Sequence, residues 1–339
     1  MKALLNTLFV TTQESYLAKD GECVAVYQGD ALKGKVPVHT LGGLVLFGQV
    51  SCSPFLLGHC AENGVTVSWL TQYGRFLASM HGPVSGNVLL RREQYRRSDD
   101  DAASAAIAAA IVIGKIANCR TVLMRTAREH PNPELDAAVA RLAQCLSRLR
   151  EPQPLNVVRG IEGEAAQAYF GVFGNLIHNA DPAFHFAGRN RRPPLDAVNC
   201  LLSFLYTLLV HDVRSALESC GLDPAVGFLH RDRPGRPSLA LDIMEEFRPY
   251  LADRLACTLM NRGQVKAKGF THTESGAVIM DDATRKDVIT AWQERKQEIV
   301  EHPFLQEKMA AGLLYHCQAR LLARYLRGDL DAYPPFVIR

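Results

Sequence analysis

The chain has 339 residues, 47% of them apolar and 22% charged, with 38 basic and 35 acidic side chains and a formal charge of +3. This is globular composition with room for two domains or one large one, and it excludes a disordered chain, which needs low hydrophobicity and high net charge. Glycine (25) and proline (17) near their averages exclude a collagen-like or low-complexity fibre, and a charge this small neither points to nor excludes nucleic acid.

The N-terminal run MKALLNTLFV is broken by Asn6 and Thr7 and has no small-residue cleavage site, so it reads as a first strand rather than a signal peptide. Up to about Gly86 the texture is β. Strands are expected at Leu8–Val10, Val24–Tyr27, Lys35–Val38, Leu44–Phe47, Val65–Trp69 and Phe76–Ala78. Asp20-Gly21, Gln28-Gly29-Asp30 and Gly42-Gly43 supply turns, and one short helix is expected over Ser53–Asn63.

After Gly86, Ala, Leu, Arg and Glu recur at helical spacing. Helices are expected over about 88–98, 101–130, 133–149, 158–177, 194–220, 238–252, 282–300 and 306–328, punctuated by Pro131-Asn132-Pro133, Pro152-Gln153-Pro154 and Pro193-Pro194. The fold class read from this pattern is α+β. A small N-terminal β domain (1–86) precedes a larger all-α domain (87–339). The most apolar stretch, Ala102–Ala117, contains Ser104 and Lys115 and reads as a buried helix, so no membrane span is expected. The nine cysteines form no C-x-x-C pair, which argues against a disulfide framework or a zinc ribbon and for a reducing cytoplasm.

Two features carry chemistry. On the helix containing residues 160–176, Ile161, Ala165, Ala168, Val172 and Leu176 form an apolar stripe. Glu162 begins the adjacent stripe of Ala166, Tyr169 and Phe173, whereas Glu164 lies on the polar face with Gln167 and Asn175. Glu162 is therefore expected to point inward and Glu164 to be solvated. An inward carboxylate needs a cation, a donor or a metal. A buried salt bridge and a metal ligand or general base are both open readings.

The second feature spans 221–250. His230 ends an apolar Gly227-Phe228-Leu229 run, and a helix starts near Ser238 with Asp242 and Glu245 side by side at i, i+3 and Glu246 on the flank. One imidazole with carboxylates is an N/O donor set that suits Mn²⁺ or Mg²⁺ better than zinc. A solvated acidic face is the alternative. Arginines surround these acids: Arg189, Arg191 and Arg192 before, Arg231, Arg233 and Arg236 after His230, and Arg248 one turn beyond Glu245. Carboxylates holding a divalent ion, ringed by arginine, are what phosphodiester chemistry requires. Between Arg189 and Lys268 stand twelve basic and nine acidic residues, an excess equal to that of the whole chain.

Together, GIEGEAAQAYF at 160–170, RRPPLDAVNCLLSFLYTLL at 191–209, GLDPAVGFLH at 221–230 and PSLALDIMEEFRP at 237–249 resemble the CRISPR-associated protein one family, the DNA endonuclease/integrases of spacer acquisition. The chain's length resembles the stand-alone form of subtype I-C. The resemblance implies a β-sandwich-like N-terminal domain used for dimerisation and a helical catalytic domain. It also implies a homodimer, double-stranded DNA (prespacer and repeat) as substrate, and a heterohexamer with the small CRISPR-associated protein two. Carried over by motif, Glu162, His230 and Glu245 are the implied metal ligands for Mg²⁺ or Mn²⁺, and Asp242 is a fourth catalytic participant. Arg248, Arg231, Arg233, Arg236 and Arg192 are the candidates for DNA contact. The implied reaction is attack of a DNA 3′-hydroxyl on a phosphodiester, with no protein nucleophile. Two other classes stay open from the residues alone. One is a helical DNA-binding scaffold without catalysis. The other is a phosphohydrolase of small nucleotides, which the remaining histidines, forming no cluster in sequence, do not favour.

Overall fold

The computed structural model describes residues 6–72, 76–80, 82, 88–190 and 193–338. The chain divides into two compact units, 1–86 and 87–339.

The first unit is built from two four-stranded sheets. Strand β1 (Asn6–Val10) is followed by β2 (Ser15–Asp20), β3 (Cys23–Gln28), β4 (Ala31–Pro37), β5 (Leu41–Phe47) and β6 (Ser51–Cys52), then α1 (Pro54–Glu62), β7 (Thr66–Leu70) and β8 (Phe76–Met80). One sheet has the order β1-β5-β7-β8 and the other β4-β3-β2-β6. Two-residue connections join β2 to β3 and β3 to β4, with Gly21 and Gly29 at φ +59° and +58°. Such hairpin turns need positive φ, which only glycine adopts at no steric cost. Strand β5 pairs in parallel with β1 and β7 and is buried along nearly its whole length, as a central strand covered on both faces must be. Leu17 and Val24 of one sheet, Leu44, Leu46 and Val67 of the other, and Leu56 and Cys60 of α1 share one core. Sequence reading missed β2, whose alternation holds little apolar signal beyond Leu17 (Tyr16 is 45% exposed).

The second unit is mostly helical: α2 (Val88–Asp99), α3 (Asp101–Glu129), α4 (Pro133–Arg148), α5 (Leu155–Gly171), α6 (Ala197–Ser219), α7 (Ser238–Met244) and α8 (Arg254–Asn261). Caps follow the sequence. Asp100 accepts from Ala102 and Ala103 N–H, Asn132 from Glu134, and Asp196 from Asn199. α3 packs against both α4 and α5. α3 and α6 are long and apolar enough to cross a membrane, yet more than half of each apolar window is buried inside the structure.

Two expectations change here. The unit is not all-α. It carries two antiparallel ribbons, β9 (Phe270–His272) with β10 (Val278–Met280), and β11 (Ile299–His302) with β12 (Glu307–Ala310), around α9 (Asp282–Gln297) and before α10 (Leu314–Leu326). β12 and the first two residues of β11 lie where helix was expected, since Glu, Lys, Met and Ala favour helix locally and cross-strand pairing overrides so weak a preference. The single helix expected over 238–252 is also broken. α7 ends at Met244, residues 245–247 form a tight turn, and Arg248–Asp253 is a π-helical segment leading into α8. Pro249 has no N–H to continue the α-helical ladder, and π segments of this kind are often found at functional sites.

Candidate active site

Four elements of the helical unit bring charged side chains together. α3 contributes Lys115, buried in the apolar run (6% exposed). Its ammonium bonds the Glu162 carboxylate from α5 and lies 2.8 Å from Glu245 Oε2, on the turn after α7. Arg248 Nη1 reaches the other oxygen of Glu245 at 2.8 Å. Two carboxylates from separate elements therefore converge on one buried cation, and Glu245 is held between two. Burial works to lower the Lys115 pKa, but Glu245 and Glu162 outweigh it and hold the ammonium above the ordinary lysine value. Burial likewise works to raise Glu245, and Arg248, Lys115 and His230 outweigh it, holding that carboxyl below the usual carboxylate range.

His230 is aimed by Asp242, which is fully buried. Asp242 accepts from the backbone N–H of Phe228 (2.6 Å), Leu229 (2.9 Å) and His230 (2.9 Å), and from His230 Nδ1 at 2.6 Å. A carboxylate held by three amides is an acceptor only, so Nδ1 carries the proton and Nε2 keeps its lone pair for another partner. The loop can wrap the carboxylate because position 227 is glycine: a Cβ there would meet Asp242 Oδ2 at 2.8 Å. Arg159 Nε donates to the Leu229 carbonyl at 2.6 Å and pins the loop to α5.

The neighbouring acids behave differently. Glu246 is fully buried but faces the C-terminal tail, accepting from Phe336 N–H (2.6 Å), Tyr333 OH (2.7 Å) and Gln318 Nε2 (3.0 Å). Asp253 accepts from Tyr206 OH at 2.6 Å and Tyr169 OH at 3.1 Å, and burial pushes its pKa up to about 6. Arg248 stacks over Tyr206, 4.8 Å from the ring centre. The solvated acidic face weighed for this helix is absent, since Asp242, Glu245 and Glu246 are all at most 2% exposed. Glu164 is not free in solvent either. Arg141 and Arg148 of α4 each hold it at 2.7 Å, and its side chain is 26% exposed, the same as Glu162.

Sequence reading missed Lys115, Arg159 and Asp253 as parts of the cluster. A lone lysine among fifteen apolar or small residues was the available signal for the first. Of the arginines singled out, Arg248 belongs to the charge cluster, Arg231 and Arg233 are exposed, Arg236 is half-buried, and Arg192 lies outside the described residues.

Glu162, Glu245 and His230 fit a hard divalent ion in donor chemistry. The Glu245 Oε2 is buried and is met by the Lys115 ammonium at 2.8 Å, so a cation already stands at that anionic oxygen. Among the described residues, however, no three His, Cys, Asp or Glu side chains already stand at metal-binding distances from one another, and Lys115 sits between the two glutamates.

A cation-bridged carboxylate pair and a carboxylate-oriented imidazole, on the helical unit that follows the strand-rich one in sequence, are donor chemistry of the kind that metal-assisted phosphodiester cleavage uses. The family described as CRISPR associated protein Cas1 matches residues 8–294. The chain is 62% identical, over the full length of both, to the CRISPR-associated endonuclease Cas1 1 of Chlorobaculum tepidum. Among solved structures it resembles a casposase bound to an integration product (TM-score 0.85, 21% identity, 99% of this chain and 95% of that one). It also resembles a chain of a Cas6-RT-Cas1–Cas2 complex (TM-score 0.83, 23% identity, 99% of this chain and 36% of that one). The chain belongs to the Cas1 family and is an enzyme of its endonuclease kind.

Proposed function

We propose that the chain is a metal-dependent DNA endonuclease/integrase of CRISPR adaptation that inserts short duplexes into a repeat array. Attack of a 3′-hydroxyl on a phosphodiester joins the strands. The observation that carries this reading is the convergence of Glu162 and Glu245 on one buried cation, with His230 fixed by Asp242 beside them. Glu162, Glu245 and His230 Nε2 would hold Mg²⁺ or Mn²⁺, and the bound ion would neutralise the scissile phosphate and stabilise the departing 3′-oxygen. Asp242 sets the tautomer and direction of His230. Arg248 compensates Glu245 and is itself oriented by Tyr206. Arg231, Arg233 and Arg236, on the loop after His230, together with Arg192, contact phosphates flanking the cut.

Finer features rest on the family resemblance. The motif resemblance points to the subtype I-C form. The first unit forms a β-sandwich that makes a homodimer, two such dimers assemble with a dimer of the Cas2 partner, and the protein works in the cytoplasm on double-stranded prespacer and repeat DNA. One structural neighbour is a chain of a complex that contains Cas2, which supports the partnership.

The test is integration of a labelled duplex into a plasmid carrying a repeat array. Strand transfer should appear with Mn²⁺ or Mg²⁺, stop in excess EDTA, and return when metal is restored. A scaffold that only binds DNA predicts shifted mobility with no transfer under any metal, and transfer that persists in EDTA would overturn the metal reading.

A further inference from the structure

Lys115 occupies a place that the metal reading does not explain. It is the one titratable side chain of α3 between Ala102 and Ala117. Its ammonium joins the two glutamates that the proposed function assigns to the metal, and only 8% of its side chain is exposed. With Arg248 it completes a box of two buried or half-buried carboxylates and two cations with no net charge. A divalent ion cannot be added to that box without a cost. It would share the oxygens that the ammonium holds and lie within a few ångströms of two positive charges, and like charges at such distances repel strongly where water is largely excluded.

We propose that Lys115 is a tethered counter-ion that holds Glu162 and Glu245 together in the metal-free protein and competes with the divalent ion for them. The carboxylates then never stand unpaired in a buried site, where two like charges would drive α5 and the α7 turn apart. Metal loading is an exchange of one cation for another rather than the filling of an open cage. That exchange accounts for an arrangement in which the donors belong to one cluster but no three of them are at ligating distance. Lys115 is a positioning residue: it acts through the two glutamates.

This inference rests on the metal reading, and the experiment separates the two. Mn²⁺ affinity is measured by calorimetry, without DNA, on the wild-type protein, Lys115→Met (similar length, no charge) and Lys115→Arg (charge kept). The thermal midpoint is recorded with and without the ion. Lys115→Met should bind Mn²⁺ at least tenfold more tightly than wild type, melt lower without metal, and gain more from adding it. Lys115→Arg should stay within a few fold of wild type. A merely structural lysine predicts weaker or unchanged metal binding on its removal, and that result overturns the proposal. Should Lys115→Met fail to fold without metal, the wild-type protein decides. Acylation of Lys115, followed by peptide mass spectrometry, should rise as Mn²⁺ saturates the site, and labelling that ignores Mn²⁺ overturns the exchange. If wild-type protein binds no Mn²⁺ at all, it is the metal reading that falls.

Discussion

Glu245 and Glu246 are adjacent in sequence and have opposite electrostatic surroundings. Burial opposes ionisation at both. At Glu245, Arg248 and Lys115 outweigh it, whereas at Glu246 the Phe336, Tyr333 and Gln318 donors offset it only in part and the pKa stands at about 8. Glu246 therefore carries a proton near neutral pH. A carboxyl raised in this way favours the folded state below its unfolded value, near 4.5, and that contribution is lost as pH rises through about 8. Glu246→Gln should keep the fold and strand transfer, cost about 1 kcal/mol or less, and flatten the decline of stability between those pH values in urea melts. Glu245→Gln should instead cost about 3–5 kcal/mol, because it leaves Lys115 and Arg248 without their shared anion, and should abolish transfer. Helical spacing could not rank these two glutamates. The motif resemblance chose Glu245, and what separates them physically is a proline-broken helix and a tail ninety residues away, neither visible in local pattern. The inward aim of Glu162 followed from its stripe, but the solvated fate expected of Glu164 did not, because Arg141 and Arg148 reach it from another helix.

Among the elements, the C-terminal tail packs directly on the α7 turn. Phe336 stacks on Phe247 with ring centres 5.2 Å apart, its N–H bonds Glu246, and its carbonyl accepts from Asn118 of α3 at 2.9 Å. Asn118 also donates to the Glu246 carbonyl at 2.7 Å, so tail, α3 and the glutamate turn form one network. Phe336→Ala should cost about 3–5 kcal/mol by emptying a buried ring site. Transfer should fall more than DNA binding, because the turn that positions Glu245 loosens. Thermal melts and gel shifts on the same preparation check both, and a variant with lowered stability and full transfer would show that the tail only stabilises. The long helices were legible because their caps and apolar periods are local signals: α3 begins at Asp100 and α4 at Asn132, both capped by their own side chains. The ribbons β11 and β12 and the break at 245–247 were not, because pairing partners and a missing N–H decide them against residues of good helix propensity.

Over the whole molecule, the composition that excluded disorder and fibre left function open, and a charge of +3 was silent about DNA. The structure shows why total charge is a poor guide here. Several acids are spent inside the helical unit, with Glu245 against Lys115 and Arg248 and Asp242 against backbone amides, while Arg231 and Arg233 stay exposed. The division into a strand-rich and a helical part was legible from the abrupt change of texture near Gly86, and the two compact units divide at that residue. The cation between the glutamates was not legible, since it arises from three elements whose packing no periodicity encodes. In the proposed function, Glu162 and its partners hold the ion that drives strand transfer. The most direct measurement is the rate at which Glu162→Gln joins a labelled duplex to a repeat-bearing plasmid in Mn²⁺, with duplex affinity determined alongside. Transfer should fall to background while duplex affinity stays within a few fold of wild type. Transfer at the wild-type rate by Glu162→Gln would contradict that function.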